Sequence, residues 1–235
     1  MNHLLGLRVV AFLVISHTSV SVAMAQQCEI RRLEGGLLHV HLNEGLNLII
    51  QPDRDSPVPD HLQTERTFAL GTAFDRTLLQ VDGTSPTDPL RLNPGEGDPL
   101  PPHLVSVESV LIGTKRAGIQ LKTNRLNIIV ASVELMSDQS WITTHRDQDI
   151  HLLVLTYTDA ARLMTARMNL WISLVKTQQI LLNPTTELSV DSATEFSNSI
   201  GKPRVLPTEV LPVLTLPQPG LAFGDRQVIL LQDAD

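Results

Sequence analysis

Short apolar runs of alternating polarity, broken by turn-forming residues, recur along most of this chain and constrain its fold more than any other feature. Successive strand residues point to opposite faces, so period-two patterning marks a strand with one buried side. In Leu37–Leu42, Leu38, Val40 and Leu42 share one face, and His39 and His41 share the other. Asn43-Glu44-Gly45 then leads into Leu46–Ile50, which predicts a hairpin that Pro52 ends. Arg66–Leu70, Arg76–Val81, Leu104–Ile112, Gly118–Lys122, Leu126–Leu135, Trp141–Thr144, Ile150–Tyr157 and Arg226–Gln232 read as further strands. Leu181–Val190 reads as one or two short ones. Short strands spaced roughly 8–12 residues apart predict a mainly β chain, an antiparallel β-sandwich or a barrel-like domain.

One segment departs from this pattern. Thr158-Asp159 offers a helix N-cap, and apolar residues follow at Ala160, Leu163, Met164, Met168, Trp171, Leu174 and Val175. Spacings of three and four predict one amphipathic helix over about 159–178, its stripe packed on the sheet. Two loops are rich in proline, Pro52–Pro59 and Gly83–Pro102, the latter with six prolines. Prolines 203, 207, 212, 217 and 219 forbid a helix in the C-terminal part and exclude a central strand. The apolar residues between them suit an extended segment laid along a surface such as a sheet edge.

Residues 1–25 read as a cleavable secretory signal peptide. Arg8 supplies positive charge, Val9–Ile15 a short apolar core, and Ala23-Met24-Ala25 the small-x-small pattern before a cut at Gln26. The apolar run is far below the roughly 20 residues that span a bilayer, so no transmembrane span is expected. The chain then divides into a β-rich part, 26–157, and a part, 158–235, with the helix, the proline-rich segment and a terminal strand. The expected location is the periplasm or the exterior.

The net charge of −7 disfavours nucleic acid and anionic membranes as partners. Aromatic residues make up only 3%, which argues against stacking platforms for sugars or bases. Cys28 is the only cysteine, so no disulfide forms within the chain. Ala25-Gln26-Gln27 before it does not match a lipoprotein signal. Cys28 is read as a small buried residue near a strand in preference to an interchain bridge.

His39-Val40-His41 is the best candidate for metal, since i and i+2 of a strand share a face. With Glu44 it resembles the opening of the cupin signature. However, Glu44 follows too closely, the later glycine is missing and no second motif supplies a further histidine. His145, Arg146, Asp147, Asp149 and His151 form a second polar cluster at an apparent turn. Gly-x-Ser-x-Gly, His-Glu-x-x-His, P-loop and Gly-x-Gly-x-x-Gly motifs are absent. No cofactor is expected.

These readings favour a non-catalytic exported adaptor in an envelope, secretion or conjugation-type assembly. Its partners would be other envelope or secreted proteins, or further copies of itself. Leu211, Val213, Leu214 and Leu216 of the apolar C-terminal segment would dock the partner. The alternatives are a metal-binding β-barrel enzyme using His39 and His41, and a small-ligand carrier.

Overall fold

The structure, a computed structural model, describes residues 28–42, 46–52, 57–62, 66–70, 104–112, 115–123, 126–135, 148–165, 168, 172–187, 189–200, 204–216 and 225–234. The expected signal peptide, the strands expected at 76–81 and 141–144 and the proline-rich loop 83–102 lie outside these residues. The chain is mostly β, with two sheets and few helices. No helix among the described residues is long and apolar enough to cross a membrane.

The first sheet contains β1 (Cys28–Arg32), β2 (Leu38–Leu42), β3 (Leu46–Gln51), β4 (Arg66–Ala69) and β11 (Leu214–Leu216), in the order β11-β1-β2-β3-β4. The expected hairpin is β2–β3, registered from Leu42 opposite Leu46 to Leu38 opposite Ile50. The second sheet contains β5 (Leu104–Ile112), β6 (Lys115–Thr123), β7 (Asn127–Ser132), β8 (Asp149–Tyr157), β9 (Lys176–Pro184), β10 (Arg204–Leu211) and β12 (Asp225–Leu231). Its order is β10-β12-β9-β8-β7-β6-β5.

The expectation of an antiparallel sandwich or barrel is corrected in one respect: both sheets are mixed. In the second, β7–β8, β8–β9, β9–β12 and β12–β10 all pair in parallel. The reason is visible in burial. Ile128 and Val130 face the core between the sheets, while Ile129 and Ala131 face a second core on the outer side. Leu152 and Val154 alternate in the same way with Leu153 and Leu155. Strands buried on both faces read as continuous apolar runs, which is the signature of parallel sheet.

The outer core of the second sheet is covered by a helix, α1 (Val190–Ser199), through Ala193 and Phe196, and by Leu163, Met168, Ile172 and Val175. The long helix expected at 159–178 is corrected. Ala160–Arg162 form a 3-10 turn capped by Asp159, Met168 and residues 172–174 are helical, and β9 begins at Lys176. Sheet pairing, Thr177 with Ile150 and Gln179 with both Leu152 and Gln227, overrides the helix propensity of the Lys-Thr-Gln-Gln segment.

The proline-flanked segment supplies edge strands to both sheets, β10 and β11. Pro207 lies in β10 where the register shifts between Leu206 and Glu209. A residue without an N–H is tolerated at an edge bulge and not in a central strand. Residues 176–231 are thus built into both sheets rather than appended to them.

Candidate functional site

Each of the three adjacent parallel strands β7, β8 and β9 carries a polar residue at its carboxyl end. Ser132 pairs with Thr156, and Thr156 with Asn183, so the three form one row across the sheet. All three are buried and follow apolar residues of the inter-sheet core. Parallel strands commonly bind ligands just outside such ends. Asn183 Nδ2 donates to the Gly36 carbonyl at 2.8 Å and to Thr156 Oγ1 at 3.4 Å.

Beyond the row, the chain leaves β7 through a 3-10 turn, Val133–Leu135, which brings Glu134 to the ends of both β7 and β8. Ser132 Oγ donates to Glu134 Oε2 at 3.3 Å. Thr158 donates to Oε1 twice, from its amide at 2.6 Å and from its hydroxyl at 2.7 Å. One carboxylate therefore collects hydroxyls from two strand ends. The available chemistry is acceptance of a proton from a bound hydroxyl or water.

Arg32, the last residue of β1, reaches the same end of the molecule. Its Nη2 donates to the carbonyls of Pro184 at 2.8 Å and Thr186 at 3.2 Å. Its Nη1 bonds the Asp233 carboxylate. Gly35 and Gly36 follow with φ of 71° and 76°, backbone values that favour glycine. A Cβ on Gly36 would stand 2.9 Å from the Pro184 oxygen, so the turn packs backbone against the end of β9. Arg32 Nε and Asn183 Oδ1 are buried without hydrogen-bond partners. Burial pushes the Tyr157 hydroxyl up to about 12, against the opposing pull of the Arg32 charge.

The residues singled out in the sequence lie elsewhere. His39 and His41 are half-buried on the outer face of the first sheet, opposite Arg31 and Glu29 of β1. His41 Nδ1 is 2.5 Å from Asn47 Oδ1, and Arg31 pairs with Glu29 at 3.5 Å. Glu44 lies outside the described residues. Among the described residues no three His, Cys, Asp or Glu side chains are placed to hold one metal ion. Cys28 is fully buried in β1, and burial, aided by the Glu29 charge, pushes its thiol up to about 12. It is therefore a thiol near neutrality and poorly suited to nucleophilic work.

Of the second polar cluster, residues 145–147 lie outside the described set. Asp149 and His151 stand at the amino end of β8, away from the row. His151 Nδ1 accepts the Asn127 amide at 3.0 Å, and burial lowers its basicity more than Asp149 raises it. The sequence reasoning missed Ser132, Thr156, Asn183, Glu134 and Arg32. The available signal was that each of the first three closes an apolar run.

No protein-family model matches the sequence, and no curated protein does. Two solved structures are similar to the chain. One is named as a Zn-dependent hydrolase of the metallo-β-lactamase superfamily from Thermotoga maritima, at 10% identity and a TM-score of 0.48, covering 88% of this chain and 100% of that one. The other is Igni18, a metallo hydrolase from Ignicoccus hospitalis, at 11% identity and a TM-score of 0.47, covering 74% of this chain and 90% of that one. Those names describe those proteins, and the reading of this chain rests on its own residues.

The expectation of a non-catalytic adaptor in an envelope assembly is corrected. The similar structures carry the names of hydrolases, not of assembly proteins. The expected docking strip is also largely committed to the chain itself. Leu214 and Leu216 are buried in the inter-sheet core, with β11 hydrogen-bonded to β1, and Leu211 packs against that core. Val213 is half-buried between them.

Proposed function

We propose that the chain is an enzyme acting on a small polar molecule bound outside the carboxyl ends of β7, β8 and β9. The observation that carries this is the convergence of Ser132 and Thr158 on the Glu134 carboxylate, beside the buried row Ser132–Thr156–Asn183. Glu134 accepts the proton, the hydroxyls of Ser132 and Thr158 orient it, and Asn183 fixes the floor through Gly36. Zinc is held by three or more His, Cys or carboxylate ligands. The described residues here supply one carboxylate and neutral oxygens, so the donor set does not fit and no step is routed through a metal.

The test is a panel of chromogenic esters, amides and phosphoesters, run with the wild type and with Glu134→Gln. Loss of a general base lowers turnover by roughly 10²–10⁴-fold. The expected result is turnover in the wild type and a loss of that size in E134Q, with the thermal midpoint retained. Turnover that is equal in the two proteins, or absent from the wild type across the panel, overturns the proposal.

A further inference from the structure

We propose that Arg32 is an anion-binding residue beside the strand-end site and that Asp233 occupies its anion position until a ligand carboxylate or phosphate displaces it. This rests on the strand-end reading for its location only, and it assigns the ligand an anionic group.

The argument begins with an asymmetry. The Arg32 side chain is 3% exposed, whereas that of Asp233, its ion-pair partner, is 53% exposed. A buried guanidinium without a counter-charge is strongly destabilising. Its other partners, the carbonyls of Pro184 and Thr186, are neutral. The compensating charge therefore comes from a carboxylate that stands in water. An ion pair that served packing alone would gain most from burying and fully bonding both groups.

The carboxylate is also lightly tethered. Asp233 follows β12 and forms a single isolated bridge to Arg32, closed by the Ala234 amide donating to the Arg32 carbonyl at 2.8 Å. Upstream, the Gln232 amide donates to the Leu211 carbonyl of edge strand β10 at 2.9 Å. Guanidinium donors are arranged as a fork that matches carboxylate and phosphate oxygens. Asp233 engages Nη1 through Oδ1, while the buried Nε has no partner. A donor is thus left for a second oxygen. The fork is placed for the site, since the carbonyl bonded by Nη2 belongs to Pro184, next to Asn183 of the polar row.

Thermal unfolding at constant ionic strength tests this, with inorganic phosphate as the probe and chloride as the balancing anion. Asp233→Asn should melt below the wild type and regain roughly 3–6 °C when phosphate is tenfold above its Kd. The wild type should shift less at the same phosphate, because tethered Asp233 competes at high effective concentration. A double variant, Arg32→Gln with Asp233→Asn, should gain only the general salt effect. An equal phosphate gain in D233N and in the double variant overturns the proposal. Should D233N fail to fold, amide NMR of the wild type decides. The Ala234 and Gly36 signals should move with phosphate and not with chloride, and their failure to move refutes the idea. E134Q should keep the phosphate response, so loss of the catalytic reading and loss of the anion site are separable.

Discussion

Replacing Gly36 by alanine isolates the contact that joins the first sheet to the end of β9, and Gly35→Ala is its built-in control. Both glycines have positive φ, so alanine at either position meets a backbone penalty of roughly 1–2 kcal/mol. At Gly35 the added Cβ meets only Leu37 Cδ1, at an ordinary 3.8 Å. At Gly36 it meets the Pro184 oxygen at 2.9 Å and Thr185 Cα at 3.1 Å. That oxygen accepts from Arg32 Nη2, so relieving the overlap strains a hydrogen bond to a charged group, worth roughly 1.5–3 kcal/mol. G35A should therefore lose about 1–2 kcal/mol and G36A about 3–5 kcal/mol. A difference of about 2 kcal/mol corresponds to roughly 4–8 °C in a chain of this size. Urea unfolding and thermal melts of both variants measure it. Losses within about 0.5 kcal/mol of each other would refute the packing argument, since only the shared backbone penalty would remain.

Tyr157 is the only tyrosine, so absorbance near 295 nm reads its ionisation directly. The phenol should ionise toward about 12, and stability should fall as pH rises above the ordinary value of about 10, where the unfolded chain already releases its proton; a midpoint near 10 in the folded protein would contradict its burial. The lowered basicity of His151 has the opposite pH sense. The unfolded chain binds the proton more readily, so stability is retained above about pH 6.5 and declines below it, less steeply in His151→Gln. Identical pH slopes for the two proteins between 7 and 5 would remove His151 from the account. Leu216→Ala, which truncates a side chain 1% exposed, should lose about 2–5 kcal/mol in denaturant. Leu174→Ala, at 38% exposure, should lose less than about 1 kcal/mol, and equal losses would argue against β11 as a core strand.

The sequence exposes the elements whose signal is local. The hairpin β2–β3 follows from alternation on either side of a three-residue turn, and β5 falls on Leu104–Ile112 as read. The parallel pairing was hidden because β8 and β9 turn apolar residues to both faces, so their runs carry no alternation to read. Helix α1 lacked an apolar stripe: only Ala193, Phe196 and Ser197 of its ten residues are buried. Ser189, whose side chain accepts from the Ser192 amide, was its one local mark. The candidate site is the least legible part. Ser132, Thr156 and Asn183 meet only through strand register, and Arg32 reaches Pro184 across 152 positions of sequence.

The pairing of β1 also dictates an order of events. Cys28 lies opposite Leu216, and Arg32 meets Asp233 across 201 positions. Closing a loop of that length carries roughly 2.7 kcal/mol more entropy loss than closing one of ten residues. The hairpin next to β1 can form early, but one side of β1 must wait for the last strands to arrive. During synthesis, the strand that emerges first is therefore the last to be fastened on both sides. Until then its open edge offers unpaired backbone to any neighbouring chain.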